Sequence, residues 1–442
     1  MKSSILYHTL SLSLLASTTV SQSITSIKAD LTTLANLLKW QGTTQSSYAP
    51  VLPAALKAHA SLSSMTGPGS PIPQAAKYVE QLGRLVAESR YLVALSAPSG
   101  YQQTVLDSTV FLKGSLDEWR FAITRTRDKL EEPSKYRAPT CGKKSAKDIS
   151  TTTSPGTIFH DFEGAPAMVV VPAGSFIAGS SPEEQTRWGV PQARRSFELP
   201  HRQVHIAKPL AVGRTEISVR EFQDFIHQTD YELRGGTRAW YHGKNTTLAF
   251  QSDLNYRNPA FPQTNNHPVV AITRQDAKAY AAWLSCLTGS TYRLPSEDEW
   301  EYAARGGSND SFFWGSDLSH ADQWANTYDT TSSTTNDFPW AHTNVTDTFA
   351  YTAPVASFRP NGFGLYDVTG NAREFTADDW IERLGGAASD GSVRKGPAPF
   401  PVMRGGAWNY QPMNLRLNYR SAYFSSEVST NMFGFRLVRD LA

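Results

Sequence analysis

The sequence predicts an α+β protein: a loop-rich mixed domain preceded by a small helical region. Two observations carry this. Apolar residues recur at helical spacing near the N-terminus, and beyond Ile158 those stripes give way to aromatic residues, Gly-Gly pairs and short β-like runs such as Met168 to Val171. At about 150 residues per domain, a chain of 442 residues has room for two or three. Its 40% apolar content and 11 Trp can fill a large core. Lys and Arg number 42 against 40 Asp and Glu. That balance argues against broad electrostatic binding to nucleic acid or an anionic membrane.

Residues 1–21 have the form of an export signal. Lys2 supplies a positive start, Ile5 to Leu15 is a Leu-rich apolar stretch, and Thr19-Val20-Ser21 before Gln22 fits a small-x-small cleavage site. The stretch is shorter than the roughly 20 residues that cross a bilayer, and no later one is long and apolar enough. The mature chain is therefore expected to be secreted and without a membrane span. Three glycosylation sequons, at Asn245, Asn309 and Asn344, agree with that route. Cys141 and Cys286 are the two cysteines. One disulfide or two free thiols both fit, because spacing alone does not show that they meet.

Residues 22–132 carry the helical periodicity. Ile24, Ile27, Leu31, Leu34 and Leu38 share one face. Pro53 to Ala60 gives a second stretch, bounded by the Gly/Pro-rich loop Thr66 to Pro73. The pattern returns at Tyr78, Val79, Leu82, Leu85 and Val86, and again at Val105, Leu106, Val110, Leu116 and Trp119. Such stretches suggest a small bundle or hairpin pair. Residues 133–157 are polar, rich in Lys, Ser, Thr and Pro, and read as a linker.

The domain from 158 to 442 carries an ordered string of motifs. Met168-Val-Val-Val-Pro-Ala-Gly-Ser-Phe176 comes first, then Arg214-Thr-Glu-Ile-Ser218 and His267-Pro-Val-Val270. Tyr292-Arg-Leu-Pro-Ser-Glu-Asp-Glu-Trp-Glu-Tyr-Ala-Ala-Arg-Gly-Gly307 follows. Pro360-Asn-Gly-Phe-Gly-Leu-Tyr-Asp-Val-Thr-Gly-Asn-Ala-Arg-Glu374, Arg404-Gly-Gly-Ala-Trp408 and Gly434-Phe-Arg436 complete the set. Any one would be weak; the order is specific. Together they resemble the formylglycine-generating enzyme and sulfatase-modifying factor superfamily. Local physics agrees: Ser296-x-x-Glu299 is a capping box, and Gly306-Gly307 suits a helix end. The resemblance implies a modified C-type-lectin-like α+β fold with little regular secondary structure.

The resemblance also implies calcium, an ion that takes six to eight oxygen ligands. One family site matches Asp367 and Glu374 by side chain, with Gly370 and Ala372 by backbone carbonyl. A second matches Asn326 and Asp347 by side chain, with Thr327 and Phe349 by carbonyl; the alternative for both is that the acids satisfy backbone N–H groups of the turns. In such a domain, ions that bind only the folded state act as cross-links.

The family's oxidation centre is another matter. Family members oxidise a substrate cysteine with copper held by two cysteines of the C-terminal segment, and thiolates suit soft Cu(I). Those positions fall on Arg416 and Ser421, and no cysteine follows Cys286. A guanidinium does not bind copper. The reading therefore argues against copper and against cysteine-to-formylglycine oxidation.

Arg416, Ser421, Arg420, Tyr419 and Trp408 match the neighbourhood of the family's substrate groove. Two arginines beside an aromatic would suit an acidic or planar ligand. Internal ion pairing is the alternative for Arg416 and Arg420. His201, His205 and His267 are expected to be structural. Helical N-terminal domains that hold iron through three histidines occur in the related ergothioneine-type sulfoxide synthases, but the mature N-terminal region here has only His59.

The resemblance allows two uses of the scaffold. Relatives lacking the cysteine pair include one that matures a siderophore chromophore, which implies an oxidative tailoring enzyme acting on a small peptide or natural product. They also include a vertebrate paralogue without activity, which implies a non-catalytic or lectin-like binding module. Residues alone leave enzyme and binder open.

Overall fold

The computed structural model describes residues 141–142, 144, 146–233, 235–240, 248–386, 388–396, 400–421 and 428–442. The signal sequence 1–21, the helical region 22–132 and Asn245 lie outside them. One compact unit comprises Lys135–Thr246, Leu254–Tyr423 and Ser429–Ala442. Of the second unit only 248–253 and 428 are described, including the short strand Ala249–Gln251.

The first unit mixes short helices with mainly antiparallel sheets, as the α+β reading expects. Its largest sheet has five strands in the order Ile158–Phe159, Met168–Val171, Leu210–Gly213, Val438–Arg439, Tyr292–Arg293, every pair antiparallel. The chain's last strand thus lies between two earlier ones and closes the fold. A second sheet sets Arg373–Asp379 between Pro401–Arg404 (antiparallel) and Phe433–Gly434 (parallel). Gly174–Ala178 pairs with Arg202–Ile206.

Helix starts are written locally. Ser218, Thr273 and Ser296 each form a reciprocal capping box, with Glu221, Asp276 and Glu299, ahead of helices Val219–Thr229, Arg274–Thr288 and Glu297–Arg305. The last of these ends on Gly306, whose φ of 55° suits glycine. Every residue of Glu297–Arg305 is buried. Trp300, Ala303 and Ala304 face a core that includes Val169, Val171, Val204, Val212, Leu365, Leu417 and Val438. Glu297, Asp298 and Glu301 are buried with them. They survive there because arginines from distant segments neutralise them.

The segment 133–157 departs from the linker expectation over its described residues. Cys141 and Cys286 form a disulfide, with Cα atoms 4.5 Å apart. Lys147 N donates to Asp161 Oδ1 (2.8 Å), Thr151 N to Ala442 O (3.1 Å) and Gly156 N to Val170 O (2.8 Å). The segment is polar because its backbone and side chains, rather than an apolar face, hold it to the domain.

Candidate functional site

The first cluster of interest gathers three buried acids. Glu216 comes from the turn that feeds helix Val219–Thr229, Asp367 from the loop after Tyr366, and Glu374 from strand Arg373–Asp379. Glu374 is saturated. Its Oε2 accepts from Arg436 Nε (2.7 Å) and Trp300 Nε1 (2.6 Å), and its Oε1 from Arg436 Nη2 (2.6 Å). The other two are not. Glu216 Oε1 accepts from Ala372 N (3.2 Å) and Asp367 Oδ2 from Ala356 N (2.7 Å), yet Glu216 Oε2 and Asp367 Oδ1 receive no donor. Burial, then the neighbouring Asp367, pushes the Glu216 carboxyl well above its usual range. Burial likewise pushes Asp367 up to about 6.

Asp367, Gly370 and Ala372 lie in the loop that leads into strand Arg373–Asp379, and Glu374 is the second residue of that strand. Gly370 sits at φ 79°, and a Cβ there would collide with the Asn326 carbonyl oxygen. Only glycine fits that approach. Sequence reasoning missed Glu216. Its only signal was a place in the Arg214–Ser218 motif, which served as a landmark.

The second cluster adjoins the first. Asn326 O accepts from Asn371 N (2.9 Å), one residue beyond Gly370. Asn326 is buried; its Nδ2 donates to Tyr351 O (2.8 Å) while its Oδ1 receives no donor. Asp347 accepts from Thr327 N (3.0 Å) and Phe349 N (2.8 Å), so its carboxylate satisfies the amides of two of the expected residues. Asp329, not expected, caps helix Thr330–Asn336 through Ser332 N (2.8 Å) and also accepts from Asp347 N. Burial, then Asp329, pushes the Asp347 carboxyl up to about 7.

Both clusters are thus hard oxygen environments with buried acceptors left unsatisfied, the donor chemistry that calcium takes. Among the described residues no three His, Cys, Asp or Glu side chains form a metal-binding group. An ion here would draw on backbone carbonyls and water as well as carboxylates.

The active-centre position is built differently. Arg416 is fully buried and forks onto Glu198, with Nη1 to Oε2 at 3.0 Å and Nη2 to Oε1 at 2.6 Å. Its Nε donates to Met413 O (2.9 Å), and Ser180 Oγ completes Glu198 from the other side. Arg420 donates to both oxygens of Glu297 and to the Phe197 and Ile381 carbonyls, over the Trp380 ring. Trp408 is buried against Phe261 and Tyr351, and Tyr419 is buried beside the Arg373 guanidinium.

Arg416, Arg420, Trp408 and Tyr419 are thus buried among protein partners, as the internal-packing alternative has it for the two arginines. Ser421 alone of the set is half-buried, and its Oγ accepts from Arg373 Nη1 (2.8 Å). Both cysteines of the chain are in the disulfide. His205 and His201 are exposed, with His205 Nδ1 bonded to Ser175 Oγ (3.0 Å), and His267 Nδ1 meets Thr352 Oγ1 (3.0 Å). Asn309 and Asn344 are exposed.

An α+β domain carrying this ordered set of motifs defines a formylglycine-generating-enzyme-like protein. The chain belongs to the sulfatase-modifying factor enzyme 1-like domain family, whose model matches residues 156–441. It is 31% identical over 304 residues to a formylglycine-generating enzyme of Bos taurus, covering 62% of this chain and 74% of that one. It is 30% identical over 296 residues to the inactive C-alpha-formylglycine-generating enzyme 2 of Mus musculus, covering 61% and 85%. Among solved structures it resembles PvdO from Pseudomonas aeruginosa, with TM-score 0.53 and 31% identity, over 66% of this chain and all of that one. No helix among the described residues is long and apolar enough to cross a membrane.

Proposed function

We propose that this chain is a secreted, calcium-stabilised, lectin-like family member that does not oxidise cysteine to formylglycine and works as a non-catalytic binding paralogue. One observation supports the reading: Arg416, which the motif match sets at a copper-binding thiol position of the family, is buried in an ion pair with Glu198. Soft Cu(I) needs thiolate donors, and this chain's two sulfhydryls are consumed as a disulfide. Likeness to an inactive relative supports the same conclusion. Calcium would be held by the residues of the two acid clusters and would supply stability rather than chemistry. The ligand class expected is a peptide or small molecule.

The test is direct. Purified protein supplied with Cu(I) and oxygen should leave a CxPxR peptide unchanged by mass spectrometry, and conversion to the aldehyde overturns the reading. A second reading, an oxidative tailoring enzyme for a small peptide or natural product, is favoured by the likeness to PvdO. Half-buried Ser421, bonded to Arg373, would then lie at its site. Turnover lost on Ser421→Ala with unchanged melting would favour this second reading.

A further inference from the structure

We propose that Lys278 is a site of reversible carboxylation, where its amine adds carbon dioxide to form a carbamate held by the charges of Arg274 and Lys395. The site uses no residue of either acid cluster and is independent of the calcium and binding readings.

The cluster lies where helix Arg274–Thr288 meets the end of strand Arg373–Asp379. Lys278 follows Arg274 by four residues, so the two side chains share one face of the helix. Arg274 Nη2 bonds Asp379 Oδ1 (2.8 Å), and its Nη1 donates to Asp378 O (2.7 Å). Lys395 Nζ lies 4.0 Å from the other oxygen of Asp379. Three cations therefore share one carboxylate. The next acid, Asp378, is taken by the Arg394 side chain and the Glu297 amide. Lys278 itself is half-buried, and no acid among the described residues pairs with it.

Partial desolvation and crowding by cations turn a lysine into a nucleophile. Burial, then Arg274 and Lys395, bring the Lys278 amine down to about 8 against the opposing pull of Asp379. At pH 8 its neutral fraction is on the order of a hundred times that of an ordinary lysine. The nitrogen lone pair attacks the carbon of CO2, one C=O π bond opens onto its oxygen, and the nitrogen loses a proton to water. Nothing is oxidised or reduced. The product is an anion, the second carboxylate that this cluster lacks, and it accepts charge-assisted hydrogen bonds from the flanking cations. Acyl or aldehyde adducts carry no such charge and would leave the cationic excess in place. Only the folded chain assembles these cations, so carboxylation stabilises the fold.

The experiment incubates the full chain with 13C-labelled bicarbonate at pH 8, traps carbamates by ethylation with triethyloxonium, and maps the label by peptide mass spectrometry. Exposed Lys208 is the internal reference. Label at Lys278 should exceed that at Lys208 by about tenfold or more, and should vanish at this position in Lys278→Arg. Lys395→Gln should cut it severalfold; that side chain is 71% exposed, so the change leaves the fold alone. At constant ionic strength, bicarbonate should raise the melting temperature of the wild type and not of Lys278→Arg, with circular dichroism checking that each variant folds. Label at Lys278 no greater than at Lys208 overturns the proposal. Fast acetylation of Lys278 by acetic anhydride without trapped carbamate also overturns it, leaving a reactive amine and no carbon dioxide site. Full label in Lys395→Gln overturns the role given to the cation cluster.

Discussion

Two buried charged regions of this domain are made from the same residue types and reach opposite outcomes. Around helix Glu297–Arg305, acids meet arginines from elsewhere in the chain. Glu297 holds Arg394, Arg404 and Arg420; Asp298 holds Arg202 and Arg394; Glu301 holds Arg305 and Arg404. Arg416 and Glu198 extend the same logic to the active-centre position. Around Asn326, Glu216 and Asp367, by contrast, acceptor oxygens are left without donors, although Asp347 beside them is satisfied by two amides. The difference teaches that local charge balance, not burial or acidity, decides whether buried acids find their partners inside the protein.

Glu297→Ala should break the balanced region most severely. It strips a shared acid from three buried arginines, and removing one partner of a buried pair costs about 3–5 kcal/mol. Urea denaturation should show that loss equally with calcium or with chelator, since this region needs no ion. A calcium-dependent loss would blur the comparison. The disulfide belongs to neither region and closes a separation of 145 residues. Cys141→Ser should cost about 4 kcal/mol by loop closure, again whatever the calcium level.

Arg416→Ala should cost about 3 kcal/mol by leaving Glu198 buried and unpaired. Adding Glu198→Gln should recover part of it in the same denaturation assay. Loss of ligand binding without loss of stability would return Arg416 to a groove.

The acid-rich region should respond to pH in the opposite sense from an ordinary carboxylate pair. Burial and the neighbouring Asp329 push the Asp347 carboxyl up to about 7 in the folded chain, well above the ordinary aspartate range, so between the two the folded state holds the extra proton. Without divalent ions, stability should therefore fall as pH rises from about 4 to about 7, by on the order of 4 kcal/mol. Asp347→Asn should flatten that slope. A slope unaltered in the variant would assign the effect elsewhere.

Much of this was legible in the sequence. Capping boxes and the glycine stop are local, so they could be read from spacing. Asn326, Thr327, Asp347 and Phe349 came from motif register, and the Asp347 carboxylate accepts from the Thr327 and Phe349 amides. What was not legible is long-range partnering. Glu198 lies 218 residues from Arg416, so two arginines beside aromatics read equally well as a groove. Glu216 was hidden for the same reason, since its significance comes from Asp367 across the fold. The polar stretch before Ile158 misled because anchoring by backbone bonds leaves no apolar pattern.

Elemental analysis of the purified chain after dialysis, paired with melting in calcium and in EDTA, tests the charge-balance account most directly. It predicts bound calcium at each acid cluster and a melting temperature that drops on chelation and returns on calcium addition. A chain that carries no calcium and melts identically in both buffers would contradict it.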